Sequence, residues 1–278
     1  MKKDIKEKFP SWVNDTDKNY TLCLSNDLDS LLSCIYLKLF KGYYISHFYT
    51  FNSIGQIKGH EPIPHNLIGV DIALEQGKTW DNHVTMFNKN DFVNEQSANL
   101  NAINRISREN YFNKYCGSTL LQILSYYEFD ISNLSEQAKM ILLCIDSSFL
   151  PFYTSFKDTG TYYMKDILGF TELVELTERH TKAEFEELNK KYNLKAAITV
   201  KKGYLHTDID LASLSEVFLM PIELPTEGFK ELADFKQASI RLLKGYYNVE
   251  KPTDVFSIAV TGRDYYKYSS LEKGELVC

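Results

Sequence analysis

A strand, an acidic turn, a helix and a second strand follow one another near the start of the chain. Residues 20–25 are an apolar run rich in strand formers, and Asp27 and Asp29 lie in the turn after it. Apolar residues then recur at helical spacing, and Gly42 is placed to end that helix. Residues 43–51 are a second strand-like run. Two strands joined by a helix predict a parallel pair with a right-handed crossover, so the chain begins as an α/β fold.

The rest of the chain alternates between helical and strand-like patterns. We predict a loop over residues 53–66, strands at 67–72, 195–201 and 217–222, helices at 117–127, 135–145, 166–179, 182–192 and 229–244, and a hairpin of residues 254–261 and 265–268. An Asn-rich polar stretch at residues 91–110 has no clear period. The fold expected is a parallel-sheet α/β domain with helices on both faces over residues 1–180, followed by a smaller α/β domain over residues 181–278.

The charge balance bears on the class of partner. The chain carries 31 Lys and Arg against 37 Asp and Glu, a formal charge of −6, and its basic runs are as short as Lys201–Lys202. A protein that holds a long duplex through many phosphates needs a basic footprint, which argues against such a partner. A short anionic substrate held through metal ions fits this balance better.

Cysteine usage and hydropathy indicate the compartment. The five cysteines are an odd number at irregular spacing, which argues against a disulfide framework and for a reducing compartment. Residues 1–8 are charged rather than apolar, and no apolar run approaches the roughly 20 residues of a membrane span. We therefore expect a cytoplasmic protein without a membrane partner, and leave a homodimer open.

Acidic residues stand at or just beyond the ends of several apolar segments. In a parallel sheet the carboxyl ends of the strands lie at one edge, where ligands bind. Carboxylates gathered there repel one another unless a divalent cation neutralises them, and carboxylates with one imidazole suit Mn²⁺ or Mg²⁺. The residues concerned are Asp27, Asp29, Asp71, Asp81, His83 and Asp146.

Each of these residues also has an ordinary structural interpretation. Asp27 is well placed to cap the helix that follows it, and Asp71 to form a turn at a strand end. His83, considered alone, is typical of a packed or surface histidine. A third hypothesis is therefore an α/β protein whose acids serve only as caps and turns, and only the order of all the acids together favours a metal site.

That order resembles the motif series of the DHH-family phosphoesterases. Residues 25–30 are similar to the family's first motif, His-x-Asp-x-Asp-Gly, and residues 69–71 to its second, a lone Asp ending a strand. Asp81-Asn82-His83 resembles the Asp-His-His motif that names the family. Residues 117–121 resemble a small-residue helix start, and residues 142–147 the fourth motif. The resemblance covers roughly residues 20–155 in the right order.

The resemblance implies a site with two Mn²⁺ or Mg²⁺ ions that share Asp71. One ion would be held by Asp27 and Asp71, and the other by Asp29, Asp71 and Asp146. Metal-activated water would then attack a phosphodiester. The resemblance also implies that Asp81 orients its neighbours and that His83 binds metal or the scissile phosphate. Asn82 would stand at a metal-ligand position. Ser118 and Thr119 would contact the phosphate from a helix start.

The sequence departs from the family pattern at two ligand positions and near its end. Ser25 replaces the histidine of the first motif and Asn82 the first histidine of the third. Each change removes an imidazole, so one ion, two ions or an inactive site are all open. The family's Gly-Gly-Gly-His loop has no counterpart, and the nearest segment carries Arg263. Arg263 is a candidate phosphate ligand or simply an exposed hairpin arginine.

Taken together, the sequence predicts a metal-dependent phosphoesterase that hydrolyses a small phosphodiester, such as a short oligonucleotide or a nucleotide. The substrate class comes from the resemblance alone. The alternative is a catalytically degenerate DHH-fold protein that binds a nucleotide or a partner protein. The losses at Ser25 and Asn82 favour this alternative, whereas the retained aspartates favour the enzyme, because buried acids without a cation are unfavourable.

Overall fold

The computed structural model describes residues 1–16, 19–60, 66–242 and 251–274. The helices are α1 (Lys3–Lys6), α2 (Leu28–Lys41), α3 (Leu100–Ile103), α4 (Thr119–Tyr126), α5 (Glu136–Cys144), α6 (Lys157–Thr161), α7 (Thr171–Arg179), α8 (Lys182–Lys191) and α9 (Leu211–Phe218). The strands are β1 (Thr21–Leu24), β2 (Tyr44–Tyr49), β3 (Ser53–Ile57), β4 (Leu67–Val70), β5 (Lys78–Trp80), β6 (Ser97–Ala98), β7 (Ile198–Lys201), β8 (Tyr204–Thr207), β9 (Phe229–Arg241), β10 (Ser257–Gly262) and β11 (Tyr265–Gly274). Short 3-10 helices cover Ser11–Asn14, Arg108–Asn113, Ile145–Ser147 and Leu150–Tyr153, and a π-helix covers Tyr162–Ile167.

The structure is a mixed α/β fold built on a nine-stranded sheet of order β10-β11-β9-β3-β2-β1-β4-β5-β6. From β2 to β6 every neighbouring pair is parallel. From β2 to β10 every neighbouring pair is antiparallel. The parallel half contains β1, β4 and β5, after which the acidic residues follow. Strands β7 and β8 form a separate antiparallel hairpin.

The C-terminal strand β10 also bonds to the loops that follow β4 and β5. The Ile258 N–H donates to the Ala73 carbonyl at 2.9 Å, and the Val260 N–H donates to the Val84 carbonyl at 2.7 Å. The sheet therefore curls back on itself. This places the end of β10 beside the carboxyl edge of the parallel strands.

The first predicted unit is confirmed. Helix α2 begins after Asp27, whose side chain accepts the Ser30 N–H, and ends at Gly42, which has a φ of 71°. A left-handed residue at a helix end favours glycine because a side chain would clash there. Strands β1 and β2 on either side of α2 pair in parallel, and β4 adds to the other edge of β1. The hairpin near the C-terminus, now β10 and β11, is also confirmed.

The main core lies around α2, α4 and the parallel strands. Leu31 and Leu32 of α2 and Leu120 and Leu124 of α4 are fully buried. The two helices pack against each other, and α2 also lies against β1, β2 and β4. Burial of such leucine side chains contributes roughly 1.5–3 kcal/mol each. This packing fixes the N-termini of α2 and α4 beside each other at the sheet edge.

Three predicted elements are wrong. Residues 229–242, predicted as helix, belong to strand β9 and the residue after it, whereas residues 243–244 of that prediction lie outside the described residues. The strand predicted at 217–222 is instead the last two residues of helix α9 and the segment after it, where Leu219 adopts a φ of 53°. The loop predicted at 53–66 contains strand β3, which pairs with β2 and β9, whereas residues 61–65 of that prediction lie outside the described residues.

The error at β9 has a physical reason. The pairing of β9 with β3 shifts register opposite Ile54 and Gly55. Such an irregularity changes which face of the sheet the following side chains occupy, so the apolar residues of β9 are spaced as in a helix. Phe229 packs against Phe48 on one face of the sheet, and Phe235 packs against Tyr49 on the other. Pairing on both edges of the strand overrides the helix propensity of its residues.

Strand β9 also joins the two predicted domains in one sheet. It pairs with β3 of the N-terminal region on one side and with β11 on the other. The boundary at residue 180 stays a prediction, but the strands beyond it complete the sheet begun before it. Of the cysteines, Cys23, Cys34, Cys116 and Cys144 form no disulfide, and Cys278 lies outside the described residues. None of the described helices has the length and apolar character needed to cross a membrane.

Candidate metal centre

Three neighbouring parallel strands each deliver an acid to the same edge of the sheet. Asp29 follows β1, Asp71 follows β4 and Asp81 follows β5. Asp146 reaches this edge from the turn that ends α5. Asp29, Asp71 and Asp146 each place a carboxylate oxygen within 4.8 Å of the other two, and we call these three residues the acidic trio. The expected convergence at the carboxyl edge of the sheet is therefore present for these acids.

Asp29 is held by the N-terminus of α4. Its carboxylate is 2% exposed and accepts the Thr119 N–H at 2.7 Å and the Leu120 N–H at 2.8 Å. Both N–H groups belong to the first turn of α4 and lack helical acceptors. The positive end of the helix dipole also favours a carboxylate there.

Asp71 occupies the centre of the site. It has a φ of 58°, a left-handed conformation that Asp tolerates better than most residues. Its carboxylate is buried and accepts a hydrogen bond of 2.9 Å from the Thr119 hydroxyl. Asp71 also lies within 4.8 Å of Asp81 and His83, so it belongs to two groups of possible ligands.

Asp81 and His83 form a fixed pair. The Nδ1 atom of His83 lies 2.6 Å from Oδ1 of Asp81, and the Asn99 amide donates to Oδ2 of Asp81 at 2.9 Å. Both oxygens of the fully buried Asp81 carboxylate are therefore engaged. The pair leaves Nε2 of His83 as the ring nitrogen for another ligand, as in carboxylate–histidine–metal arrangements.

Asn82 connects Asp146 to the loop before α4. Its amide donates to the Asp146 carboxylate at 2.6 Å and to the Gly117 carbonyl at 2.9 Å. The Asn82 carbonyl accepts a hydrogen bond of 2.6 Å from the Asn101 amide. Asp146 itself is exposed and has a φ of 51°, so its position depends on the turn and on Asn82.

Burial and mutual repulsion oppose ionisation of these carboxyl groups. Burial, followed by the neighbouring aspartates, raises the pKa of Asp29 and of Asp71 well above the usual range. Burial and Asp146 raise the pKa of Asp27 to about 6. Burial opposes the charge of His83, yet the Asp81 carboxylate raises its pKa to about 10. In the part of the chain that the structure describes, no Lys or Arg forms an ion pair with the acidic trio.

The donor set fits a hard divalent cation. The acidic trio offers three carboxylates, and Asp71 also lies close to His83. Oxygen ligands with one imidazole suit Mg²⁺ and Mn²⁺, and no cysteine belongs to either group. A bound cation would favour the ionised form of these buried carboxyl groups, which is the electrostatic reason to expect one at this place.

The remaining predicted site residues have different surroundings. Asp27 lies outside both groups of possible ligands found among the described residues, and it caps α2 through the Ser30 N–H. The Ser118 hydroxyl caps α4 by accepting the Leu121 N–H, and the Thr119 N–H and hydroxyl are used by Asp29 and Asp71. A phosphate contact by Thr119 would have to replace these hydrogen bonds. Arg263 is exposed, and its guanidinium lies 5.6 Å from the centre of the Phe112 ring.

A cavity of about 470 Å³ opens beside the acidic trio. Asn82, His83 and Asp146 belong to its lining. Tyr111, Phe112, Lys114, Phe156 and Val260 are among the residues that line the rest. A cavity of this size accepts a small organic ligand.

The sequence did not reveal the residues that support the site. Asn99, Asn101 and Gln122 are buried, and their side chains bond to Asp81, Asn82 and the backbone around them. Two of them come from the Asn-rich stretch that had no clear period. A cluster of asparagines next to a predicted acidic edge is the signal that could have indicated them. The cavity-lining aromatic residues gave no comparable signal.

Comparisons with known proteins add nothing to this description. No protein-family model, curated protein or solved structure matches the chain.

Proposed function

We propose that the protein is a divalent-cation-dependent phosphoesterase that hydrolyses a small phosphodiester, such as a short oligonucleotide or a nucleotide. The observation that carries the proposal is the position of Asp71, which lies within 4.8 Å of Asp29 and Asp146 on one side and of Asp81 and His83 on the other. A carboxylate shared by two groups of possible ligands would let one residue serve two cations. A DHH-like division into residues 1–180 and 181–278 is part of the same proposal.

The charge of the site supports the cation. Asp29 and Asp71 are buried, and their pKa values are raised by burial and by neighbouring aspartates such as Asp146. Keeping such groups together is unfavourable unless a cation balances them. Mn²⁺ or Mg²⁺ would be held by the acidic trio, with His83 as a further ligand.

The chain's own residues have separable roles in hydrolysis. A bound cation would supply polarisation of the phosphoryl oxygens and a water of lowered pKa. Asp81 and Asn99 hold the His83 ring in one orientation, which leaves its Nε2 to bind the cation or to donate a proton to the phosphate. Asn82 holds Asp146, and α4 holds Asp29. The adjacent cavity receives the rest of the substrate.

A second candidate is a protein that binds a nucleotide with a cation but does not hydrolyse it. The Asn82 amide donates to Asp146, so in this arrangement its nitrogen is not a metal ligand. Ser25 also offers no imidazole. Two missing imidazoles weaken a site without removing its carboxylates, which favours binding over turnover.

The test is hydrolysis of a 5′-phosphorylated dinucleotide with Mn²⁺ or Mg²⁺, measured for the wild type, Asp71→Asn and Asp208→Asn. Asp208 is exposed, so its variant controls for the loss of one acid. We expect turnover in the wild type and in Asp208→Asn, and none in Asp71→Asn or with chelator. Cation-dependent binding of the dinucleotide without hydrolysis would support the second candidate. Neither binding nor hydrolysis by a folded protein would contradict both candidates.

A further inference from the structure

The lining of the cavity beside the acids includes two exposed aromatic rings, which we call the aromatic wall. Phe112 is 50% exposed and Phe156 is 40% exposed, although both are large apolar side chains. Their rings stack on each other, with centroids 5.5 Å apart and planes at 13°. The two residues come from separate parts of the chain, the 3-10 helix at Arg108–Asn113 and the residue before α6. Two phenylalanines that stack in solvent and line a cavity favour an aromatic ligand.

Two cationic side chains lie over the aromatic residues of this wall. The Arg263 guanidinium is 5.6 Å from the centre of the Phe112 ring, and the Lys114 ammonium is 5.0 Å from the centre of the Tyr111 ring. The Arg263 backbone is fixed because its carbonyl accepts a 3.0 Å hydrogen bond from Arg108. The wall therefore combines flat apolar faces with positive charge, a combination that stacks bases and attracts phosphates.

The lining of the cavity as a whole has the charge pattern of a nucleotide site. Asp146, Asn82 and His83 are the lining residues near which a cation would hold a phosphate. Phe112 and Phe156 line the same cavity, whose volume of about 470 Å³ falls within the range of pockets for small organic ligands. An inorganic phosphate or a simple sugar phosphate would make no use of the aromatic rings.

We propose that Phe112 and Phe156 form a base-stacking subsite, so that the ligand of this site carries a nucleobase beside its phosphate. The inference rests on the proposed function for the phosphate end of the ligand. The base lies against the Phe112–Phe156 stack, and Arg263 contributes positive charge above Phe112. The subsite is sequence-tolerant, because every base presents a flat face for stacking.

The test compares two ligands that differ only by the base. Binding of AMP and of ribose 5-phosphate to the Mn²⁺-loaded protein is measured by isothermal titration calorimetry. Stacking on aromatic side chains predicts that AMP binds roughly 5- to 100-fold more tightly than ribose 5-phosphate. Phe112→Ala and Phe156→Ala should each remove most of this difference while leaving the affinity for ribose 5-phosphate unchanged. Phe92→Ala, a variant at a phenylalanine that is 59% exposed elsewhere, should behave as the wild type.

The outcomes separate this inference from the proposed function. Equal affinities for AMP and ribose 5-phosphate, or equal losses for both ligands in Phe112→Ala, would overturn the subsite while leaving a cation-dependent phosphate site. Preferential AMP binding that depends on Phe112 but not on Mn²⁺ would support the subsite and contradict the proposed function. Binding of neither ligand by the folded, Mn²⁺-treated protein would overturn both. Circular dichroism of each variant confirms that the exposed substitutions leave the fold intact.

Discussion

The Asn82 amide donates a hydrogen bond of 2.6 Å to the carboxylate of Asp146, and this bond joins the loop after β5 to the turn after α5. Asp146 is the exposed member of the acidic trio, and its backbone is left-handed with a φ of 51°. Asn82 is therefore a side chain that holds the Asp146 carboxylate in position. Loss of a residue that orients a metal ligand typically weakens metal binding about 10- to 100-fold.

We expect Asn82→Ala to weaken Mn²⁺ binding by about this factor while the protein remains folded. The affinity is measured by titration calorimetry on metal-free protein. Asn133→Ala, at an exposed asparagine, is the control. An unchanged affinity in Asn82→Ala would show that Asp146 does not need this hydrogen bond, or does not bind the cation.

Asp71→Asn should stabilise the metal-free protein and remove its response to cations. The amide keeps an oxygen for the Thr119 hydroxyl while it removes one charge from the buried group. The free energy of unfolding should rise by an amount on the order of 1 kcal/mol. Mn²⁺ at a concentration about 100 times its Kd should stabilise the wild type by about 2.7 kcal/mol and leave the variant unchanged. A destabilised variant that still responds to Mn²⁺ would assign Asp71 a structural role instead.

The same charges predict how stability depends on pH. The pKa of Asp27 is raised to about 6 by burial and Asp146, and the pKa values of Asp29 and Asp71 are also raised, by burial and neighbouring acids. The folded protein therefore binds protons that the unfolded chain has released. The contribution of these bound protons to the free energy of unfolding is fully present below about pH 4. It is lost as the pH rises through about 6. In urea denaturation of metal-free protein, the advantage of Asp71→Asn over the wild type should grow between pH 4.5 and 7.5. An advantage of equal size at all pH values would contradict the assignment of charge to this group.

Because strand β9 joins β3 and β11 in one sheet, we expect the N-terminal and C-terminal parts of the chain to unfold together. Phe235 is 4% exposed and packs against Tyr49 and Phe256, so Phe235→Ala should lower the free energy of unfolding by about 3–5 kcal/mol. Both tryptophans, Trp12 and Trp80, lie in the main core. Their fluorescence should therefore show a single unfolding transition, shifted by the lower free energy of unfolding of the variant. Leu271→Ala, at a residue that is 44% exposed, is the control. A tryptophan transition unaffected by Phe235→Ala would indicate an independent C-terminal domain.

The sequence predicts the parallel half of the sheet because each element there has a local signal. The β1–α2–β2 unit combines a buried apolar run, a capping Asp27 and a terminating Gly42. The acids that follow these strands could be placed at one edge because parallel strands share a carboxyl end. Asp29, Asp71 and Asp146 are brought together as expected, whereas Asp27 caps α2.

The remaining parts of the fold and of the candidate site depend on contacts between residues that are distant in sequence. Strand β9 has helix-forming residues with helical apolar spacing, and its pairing with β3 and β11 decides its structure. Asn99 and Asn101 had no recognisable period because they serve the backbone and side chains of the loop after β5. The cavity wall combines Phe112, Phe156 and Val260, which come together only in the folded chain.

The central claim is that the acidic trio binds a divalent cation. The most direct measurement is a titration of metal-free protein with Mn²⁺, followed by the loss of the free-ion electron paramagnetic resonance signal. We expect one or two ions to bind per chain, with Mg²⁺ competing for the same site and Asp71→Asn abolishing the binding. Unchanged binding in Asp71→Asn, or no binding of Mn²⁺ at millimolar concentrations by the folded protein, would contradict the claim.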